Sequence, residues 1–293
     1  MHILVVKMKL AGLMTTFFDA IKGAAPPWRD AVTLSPSGKS VEDYAWLGDV
    51  PAMAEWKDEL VPEGLREYSY TIRNKRFGVA QMVYTDDLND DQYGQTQVKI
   101  QALAPPARDF PGSLVSALRV GGESGLAYDG TAFFSASRPE GSNLVTGTGT
   151  TTAQIEADFE SALVLLRSVK TDKGRVFDRT NSRLVAVCGV ALEQKLRRAL
   201  TAPLVAAGGT NILAGLVSAI EVDPYITGNS WYLEDRAPFV KGFIVQEREP
   251  VEIANTGTDS DQYVLHDRFV YRVKWRGNAG YGLWPHHVKI KNS

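Results

Sequence analysis

The sequence is poor in the residues that carry catalysis, metal binding or disulfide chemistry. Its single cysteine, Cys188, excludes an intrachain disulfide and lies in the apolar run RLVAVCGVAL, which favours a small core residue over a nucleophile. Only four histidines are present: His2, His266, His286 and His287. The adjacent pair lacks the spacing that directs two rings at one ion, and a Cys/His zinc site needs a second cysteine. We therefore predict no metal site.

Long apolar runs, cofactor-binding motifs and an excess of one charge are missing as well. No run of about 18 apolar residues occurs, so we predict no membrane-spanning segment. The start MHILVVKMKL, broken by Lys7 and Lys9, is interpreted as structure rather than as a signal peptide. A formal net charge of −2 argues against a dedicated nucleic-acid binder, although not against a protein that encloses nucleic acid. Neither G-x-G-x-x-G, a P-loop nor G-x-S-x-G is found, so we predict no cofactor and no enzymatic activity.

The most charged short stretch, DDLNDDQYG at residues 86–94, partly resembles a calcium-binding loop. Asp87 starts a D-x-N-x-D pattern, but Gln92 stands where the loop needs glycine and Val98 where it needs a bidentate glutamate. A calcium loop and a catalytic carboxylate pair are both rejected in favour of a solvated helix start.

A capping box explains the acidic residues of this stretch. Asn89 is predicted as the N-cap, with Gln92 at the third helical position. Asp90 and Asp91 then fall in the first turn, where the helix dipole favours negative charge. The helix is interrupted at Pro105-Pro106, resumes with Pro111 in a first turn, and stops at Gly121-Gly122.

The remaining pattern predicts an α+β fold without internal repeats. Residues 151–170 form the clearest helix, with Ile155, Phe159, Leu163 and Leu166 on one stripe and Thr151 or Thr152 as its cap. The run LVAVCGV predicts a central strand, followed by a helix after Ala191 and by further strands to the end of the chain.

Residues 68–84, YSYTIRNKRFGVAQMVY, predict a β-hairpin whose turn lies near Asn74-Lys75. An isolated two-stranded ribbon is only marginally stable, so this hairpin needs a sheet, a helix or another subunit beneath it. Residues 1–62 show helical spacing at Leu13, Phe17 and Ile21 but no hydrophobic core of their own. Their aromatic side chains are expected to dock onto the same chain or onto a neighbour.

Several motifs in a fixed order resemble a known family, the Mu-like phage major head subunit of the gpT type. They are YAWLGDVPAMAEW, LREYSYTIRNKRFGV, TDDLNDDQYG, YDGTAFFSASRP, KTDKGRVFDRTNSRLVAVCGVALE and GNAGYGLW, which together reach over nearly the whole chain. The chain departs from the family pattern at residues 57–60, at Arg138, where a histidine is common, and at Pro105-Pro106, which puts the continuity of the family's long helix in doubt.

The resemblance implies the Hong Kong 97-like capsid fold. It assigns residues 1–62 to an N-terminal arm, 63–87 to the hairpin called the E-loop, and 88–149 to a peripheral domain with the spine helix. Residues 150–255 would form the axial domain, and 256–293 would return as strands to the peripheral domain. The helix start at Asn89, Asp90, Asp91 and Gln92 would be the start of the spine.

The implied function is that of a major capsid protein, assembling into the pentamers and hexamers of an icosahedral head around double-stranded DNA. Implied partners are other copies of the chain, scaffold, portal and decoration proteins, with DNA enclosed without sequence-specific contacts and with no membrane. The protein would be assembled in the host cytoplasm and reside in the virion. Two alternatives stay open: an encapsulin-type compartment enclosing cargo, and an unrelated enzyme, which would show a pocket with perturbed acids.

The charged residues of the predicted hairpin tip suggest where subunits meet. Arg73, Asn74, Lys75 and Arg76 are candidates for contact with an acidic surface of an adjacent subunit, since three like charges lie on an element that cannot support itself. A solvated turn without a partner is the alternative interpretation.

Overall fold

The structure, a computed structural model, describes residues 2–23, 25–44, 70–90, 94–171, 174–204 and 209–292. Its helices are α1 (His2–Ile21), α2 (Thr85–Asp90), α3 (Gln95–Gln101), α4 (Ala104–Val120), α5 (Thr152–Ser168), α6 (Glu193–Leu200) and α7 (Asp261–His266). Its strands are β1 (Val32–Pro36), β2 (Val41–Asp43), β3 (Thr71–Arg73), β4 (Lys75–Tyr84), β5 (Leu144–Thr146), β6 (Leu184–Cys188), β7 (Ala219–Val222), β8 (Trp231–Asp235), β9 (Phe243–Asn255), β10 (Arg268–Tyr281) and β11 (His287–Lys291). This mixture agrees with the predicted α+β class.

The strands form two sheets and a ribbon. A four-stranded sheet has the order β1-β9-β10-β4, and a five-stranded sheet has the order β5-β11-β8-β6-β7. Strands β2 and β3 pair only with each other among the described residues. Both sheets combine strands that are far apart in sequence: the four-stranded sheet joins residues 32–36 and 75–84 to 243–281, and the five-stranded sheet joins 144–146 to 184–235 and 287–291.

The five-stranded sheet has the core that its sequence predicts. Every residue of β6 is buried, as expected for a continuous apolar strand between two neighbours. Helix α5 packs Ile155, Phe159 and Leu166 into the same cluster. Thr151 and Gln154 form a reciprocal capping box at its start, which confirms the predicted cap.

The four-stranded sheet receives the N-terminal helix. Alternate residues of β10 are buried on one face, and α1 packs Leu10, Leu13 and Phe17 into their cluster. Strand β1 extends the sheet in parallel with β9. Helix α1 and strand β1 therefore dock onto their own chain, while residues 45–62 of the same predicted segment lie outside the described residues.

Two prolines separate α3 from α4, as the predicted interruption required. Pro105 and Pro106 lie in the first turn of α4, where a missing backbone N–H leaves no intrahelical hydrogen bond unmade. The prediction for Pro111 was wrong, because the helix has already resumed at Ala104 and Pro111 lies inside it. The helix ends at Val120 and Gly121 follows as its cap, in agreement with the predicted stop.

The predicted helix start at Asn89 was also wrong. Helix α2 begins directly after β4, so Asn89 lies within it and cannot be its N-cap. The backbone N–H of Thr85 donates to the carbonyl of Asp267 at 3.0 Å, which marks the point where the chain leaves the sheet. Asp86 and Asp87 occupy the first turn in place of Asp90 and Asp91. Asp91 and Gln92 lie outside the described residues.

Arg138, one of the departures from the family pattern, has a local structural role. Its guanidinium pairs with Asp129 at 2.6 Å and lies 4.2 Å from the centre of the Trp284 ring. It also donates to the backbone carbonyls of Ala132 and Phe133. These bonds satisfy a buried cation and tie the turn at residues 128–134 together.

Candidate functional site

The residues predicted as a hairpin tip form a junction between the ribbon and the four-stranded sheet. Arg73 ends β3, which pairs with β2, whereas Lys75 begins β4, which pairs with β10. The two strands that flank Asn74 therefore do not pair with each other, and the predicted hairpin turn was wrong. The structural reason is that β4 finds its hydrogen-bonding partner along its whole length in Arg268–Gly277, near the other end of the chain.

Asn74 holds this junction in place. Its amide nitrogen donates to Ser37 Oγ and to the Lys39 carbonyl, each at 2.8 Å. Its amide oxygen accepts a hydrogen bond from Gln246 Nε2 at 2.7 Å. Gln246 is fully buried and its own oxygen accepts from the Tyr44 hydroxyl at 2.9 Å. Asn74 thus has a structural role, since its hydrogen bonds connect the ribbon to the sheet. Its charged neighbours Arg73, Lys75 and Arg76 are exposed.

The β2–β3 ribbon is anchored at its base. Val41, Glu42 and Asp43 are in register with Arg73, Ile72 and Thr71. The Tyr44 N–H donates to the Tyr70 carbonyl at 2.8 Å. The chain that connects the two strands, residues 45–69, lies outside the described residues, and with it the first two residues of the predicted outgoing strand, Tyr68 and Ser69. Backbone N–H groups of Lys39 and Gly38 and the Ser37 hydroxyl lower the pKa of Glu42 at this base.

A basic face covers the outer side of β4 and β10. It consists of Arg76, Arg272, Lys274 and Arg276, and Arg76 lies directly opposite Arg276 in the strand register. Hydrogen bonds from Lys274 and Arg276 lower the pKa of Glu249 to about 2. Arg76 and Arg272 are exposed and have no carboxylate partner among the described residues. Lys274 and Arg276 are compensated by Glu249 and Glu252 of β9, so the charges that an acidic partner would pair are those of Arg76 and Arg272.

An acidic cluster lies at the far end of the same strand. Asp86, Asp87 and Asp90 are exposed on α2, which begins where β4 ends. Strand β4 has ten residues and therefore separates the basic face near Arg76 from the acidic cluster by about 30 Å. The two charged surfaces of one chain cannot meet each other, but each is complementary to the other surface on a second copy.

A buried ionic network connects α4 to the five-stranded sheet, and it was not predicted from the sequence. Arg119 donates to Glu234 and to Asp223, each at 2.8 Å, and Ser116 Oγ donates to Asp223 at 2.5 Å. Arg236 pairs with the second oxygen of Glu234 at 2.8 Å. Burial raises the pKa of Glu234, but Arg119 and Arg236 outweigh it and hold that pKa well below its usual range. The sequence signal for this network was the charged triplet Glu234-Asp235-Arg236, which directly follows the apolar residues WYL of β8.

The described residues show no arrangement for covalent or metal chemistry. Burial raises the pKa of the Cys188 thiol to about 11, which leaves it protonated and inert at neutral pH. Within the described ranges, no three His, Cys, Asp or Glu side chains are grouped so that they could hold a metal ion. No helix in the same ranges is long and apolar enough to cross a bilayer.

Comparison with known proteins identifies the family to which the sequence is similar. The family model described as Mu-like prophage major head subunit gpT matches residues 6–158 and 223–293. The chain is 25% identical over 289 residues to the Mu-like prophage FluMu major head subunit of Haemophilus influenzae, covering 98% of this chain and 73% of that relative.

Solved capsid structures have the same fold. A chain from the procapsid of bacteriophage JBD30 matches with a TM-score of 0.62 and 24% identity, covering 99% of this chain and 76% of that one. The mature capsid of bacteriophage PhiM1 matches with a TM-score of 0.61 and 11% identity, over 92% and 87% of the two chains. A virus-like particle from Pyrococcus furiosus matches with a TM-score of 0.58 and 12% identity, over 95% and 98%. The predicted Hong Kong 97-like capsid fold is confirmed.

Proposed function

Because the chain belongs to the Mu-like prophage major head subunit gpT family, we propose that its copies form the pentamers and hexamers of an icosahedral head around double-stranded DNA. The chain is a phage major head subunit, a structural protein and not an enzyme, as predicted. The match of the family model to both ends of the chain carries the proposal. The assembled capsids among its structural relatives support a shell built from many copies.

The described elements support a division into the parts of a capsid subunit. The five-stranded sheet with α5 and α6 is assigned to the axial domain, and the four-stranded sheet with α4 to the peripheral domain and its spine. This changes two predicted bounds: β9, within the predicted axial range 150–255, belongs to the four-stranded sheet, and β11, within the predicted return range 256–293, belongs to the five-stranded sheet. The E-loop is better assigned to the β2–β3 ribbon with its connection at 45–69 than to residues 63–87. The reason is that β2 and β3 pair with each other while β4 belongs to the sheet.

The contact between subunits is proposed to join the basic face of one copy to the acidic cluster of the next. Arg76 and Arg272 lack carboxylate partners in their own chain as far as it is described. Asp86 is exposed about 30 Å along β4 from Arg76 and about 20 Å from Ala80, the register partner of Arg272. A contact between two different surfaces of identical copies is heterologous and closes into rings when the rotation permits. The exposed cations Arg73 and Lys75 are neighbours of Arg76 in sequence and add positive charge around the start of β4, although Lys75 points to the opposite face of the sheet from Arg76.

Charge reversal tests this contact. We expect the purified chain to form particles tens of nanometres across in negative-stain microscopy. The triple variant Arg73→Glu/Lys75→Glu/Arg76→Glu should leave a folded, soluble subunit that forms no particles. Combining it with Asp86→Lys/Asp87→Lys/Asp90→Lys should restore particles, because the attraction is restored with the signs exchanged.

A matched control reverses three exposed cations elsewhere. Lys22→Glu/Arg29→Glu/Lys99→Glu changes the net charge by the same amount and should assemble normally. Normal particle yield from the Arg73/Lys75/Arg76 variant would disprove the contact. Absence of particles from the unmodified chain under all conditions would instead count against the proposed assembly itself.

The head is proposed to be part of the virion and to be assembled in the host cytoplasm, with scaffold, portal and decoration proteins as partners. The near-neutral charge of the chain supports enclosure of DNA without tight contacts, because a strongly basic lining would bind phosphate through counterion release. Mass spectrometry of purified particles would identify the partner proteins.

An encapsulin-type compartment is the second candidate. The likeness to the virus-like particle from Pyrococcus furiosus, at 12% identity over 98% of that chain, is a likeness of fold, which a compartment shell and a phage head would share. Membership of the gpT family favours the phage head. Sequencing nucleic acid and protein recovered from nuclease-treated particles distinguishes the two, because a head holds DNA and a compartment holds a cargo protein.

A further inference from the structure

The loop between β8 and β9 presents an aromatic ring to solvent. Phe239 is 92% exposed, the highest exposure of any large apolar side chain among the described residues. The loop around it is nevertheless fixed: the Lys241 N–H donates to Thr33 Oγ1 at 2.8 Å and the Ala237 N–H donates to Asp235 at 3.1 Å. Because the backbone on both sides of Phe239 is already fixed, burial of the ring by a partner costs mainly the rotational freedom of this one side chain.

The chain also has an apolar groove of about 350 Å³ between β4, β10 and α4. This aromatic groove is lined by Phe77, Gly78, Val79, Leu103, Pro106, Ala107, Phe110, Val273 and Trp275. The rings of Phe77, Phe110 and Trp275 lie 4.7–5.9 Å from one another, centre to centre. At one side Val79 is 48% exposed, so part of the apolar lining is left in water. A phenyl ring suits such a lining because aromatic pairs are favoured at these separations.

A second cleft nearby fits a phenyl ring less well. It holds about 530 Å³ on the other side of Pro106 and Phe110, but Arg119, Glu221 and Asp223 line it. An apolar ring placed there would displace water from charged groups without replacing their hydrogen bonds. The aromatic groove carries no charged side chain in its lining, so it is the better site.

The ring that fills the groove must come from another copy. Phe239 lies beside Thr33, whose register partner on β9 is Ile244, whereas Trp275 lies toward Glu249 at the far part of the same strand. The Trp275 backbone is five to six residues of extended strand, roughly 20 Å, from Ile244, and its indole, which donates to Glu247, is about three residues, roughly 10 Å, away. The two features of one chain therefore cannot meet without unfolding the sheet.

We propose that Phe239 of one copy inserts into the aromatic groove of a neighbouring copy and anchors the subunit contact. This inference rests on the proposed assembly and names the residues of one of its interfaces. The loop adjoins the base of the β2–β3 ribbon, since Val240 packs against the cluster that holds Tyr44 and Ile72. The ring thus lies next to the ribbon that is assigned to the E-loop. Like the charge contact, it is heterologous and can repeat around a ring of subunits.

Cysteine crosslinking tests the contact directly. The native Cys188 is fully buried, so cysteines introduced as Phe239→Cys and Val79→Cys are the reactive ones. Particles of the double variant, treated with a mild oxidant or a short bismaleimide, should give a ladder of linked chains in denaturing gels. Particles mixed from the two single variants should give dimers only, and particles of either single variant should give none. Dimers from Phe239→Cys alone would overturn the proposal by showing a ring-to-ring contact.

Assembly measurements provide a second, independent test. Phe239→Ala should raise the protein concentration at which particles appear by about tenfold or more, the effect of removing an anchor residue from an interface. Ala107→Trp, which fills the groove and leaves Phe239 intact, should act in the same direction. Both subunits should melt at the temperature of the unmodified subunit within a few degrees. Particles that form normally from both variants and give no ladder would overturn this contact while leaving the proposed shell function in place.

Discussion

Glu234 is the residue on which the connection between α4 and the five-stranded sheet depends most. Its two oxygens face Arg119 and Arg236, and all three side chains are almost completely buried. Glu234→Gln should lower the free energy of unfolding by about 3–5 kcal/mol, because two buried cations lose their shared countercharge. Urea unfolding of the unassembled subunit measures this, with the exposed Glu160→Gln as control. A loss below about 1 kcal/mol would contradict the assignment.

His286 makes the stability of the fold depend on pH. Burial and the nearby Arg179 lower the pKa of His286 to about 3, from an ordinary value near 6.5. Between these values the unfolded chain binds a proton that the folded chain does not, so stability falls as the pH drops from about 6.5 towards 3. For a single group the loss reaches roughly 2 kcal/mol at pH 5. The lowered pKa values of Glu123 and Glu249 add a further loss only below about pH 4.5.

Replacing His286 isolates this contribution. His286→Gln should lower stability at pH 7.5 but flatten its decline between pH 6.5 and pH 5. Some decline should remain, because burial lowers the pKa of the neighbouring His287 as well. Urea unfolding at several pH values gives the slope, and a slope equal to that of the unmodified chain would exclude His286 as the titrating group.

Among the elements, the β2–β3 ribbon depends on the hydrogen bonds of Asn74. Asn74→Ala removes its bonds to Gln246, Ser37 and Lys39 and leaves the buried Gln246 amide short of an acceptor. We expect a loss of about 1–3 kcal/mol that is concentrated in the ribbon. Hydrogen exchange should show faster exchange for the strands at 41–43 and 71–73, with β6 unchanged. Uniformly faster exchange in both sheets would contradict a local role.

The elements that sequence analysis identified correctly are those whose signal is local. Helix α5 carries its apolar stripe and its capping box within its own residues, and β6 is apolar throughout. The turn at Asn74 was misplaced because strand pairing is not local. The alternation in β4 fits a hairpin with β3 as well as it fits the actual partner, β10, and the deciding contacts come from the far end of the chain.

The predicted helix start at Asn89 was wrong for a different reason. In the stretch TDDLND several residues are able to cap a helix or occupy its first turn, so the sequence leaves the register open by several positions. The end of β4 at Tyr84 decides it, and that end is set by the pairing with Arg268. The ionic network of Glu234 was invisible for the same reason, since Arg119 and Glu234 are brought together only by the packing of α4 against the sheet.

On the scale of the whole molecule, the two proposed contacts differ in their physical nature. The basic face and the acidic cluster attract through exposed charges, which salt screens as the Debye length falls from about 10 Å at 0.1 M to about 3 Å at 1 M. Insertion of Phe239 buries apolar surface, which salt does not weaken. Rising salt concentration should therefore weaken the charge contact and leave the Phe239 contact in place, so the two contacts can be examined separately.

This difference predicts how assembly responds to salt. The particle yield of the unmodified chain should fall as sodium chloride rises from 0.1 to 1 M. In Phe239→Ala the yield should be lower throughout and fall as steeply, because the charge contact is intact. The variant that combines the reversed Arg73, Lys75 and Arg76 with the reversed aspartates should respond like the unmodified chain. Light scattering across a salt series measures all three, and a yield that rises steadily with salt in the unmodified chain would rule out the charge contact as a driving force for assembly.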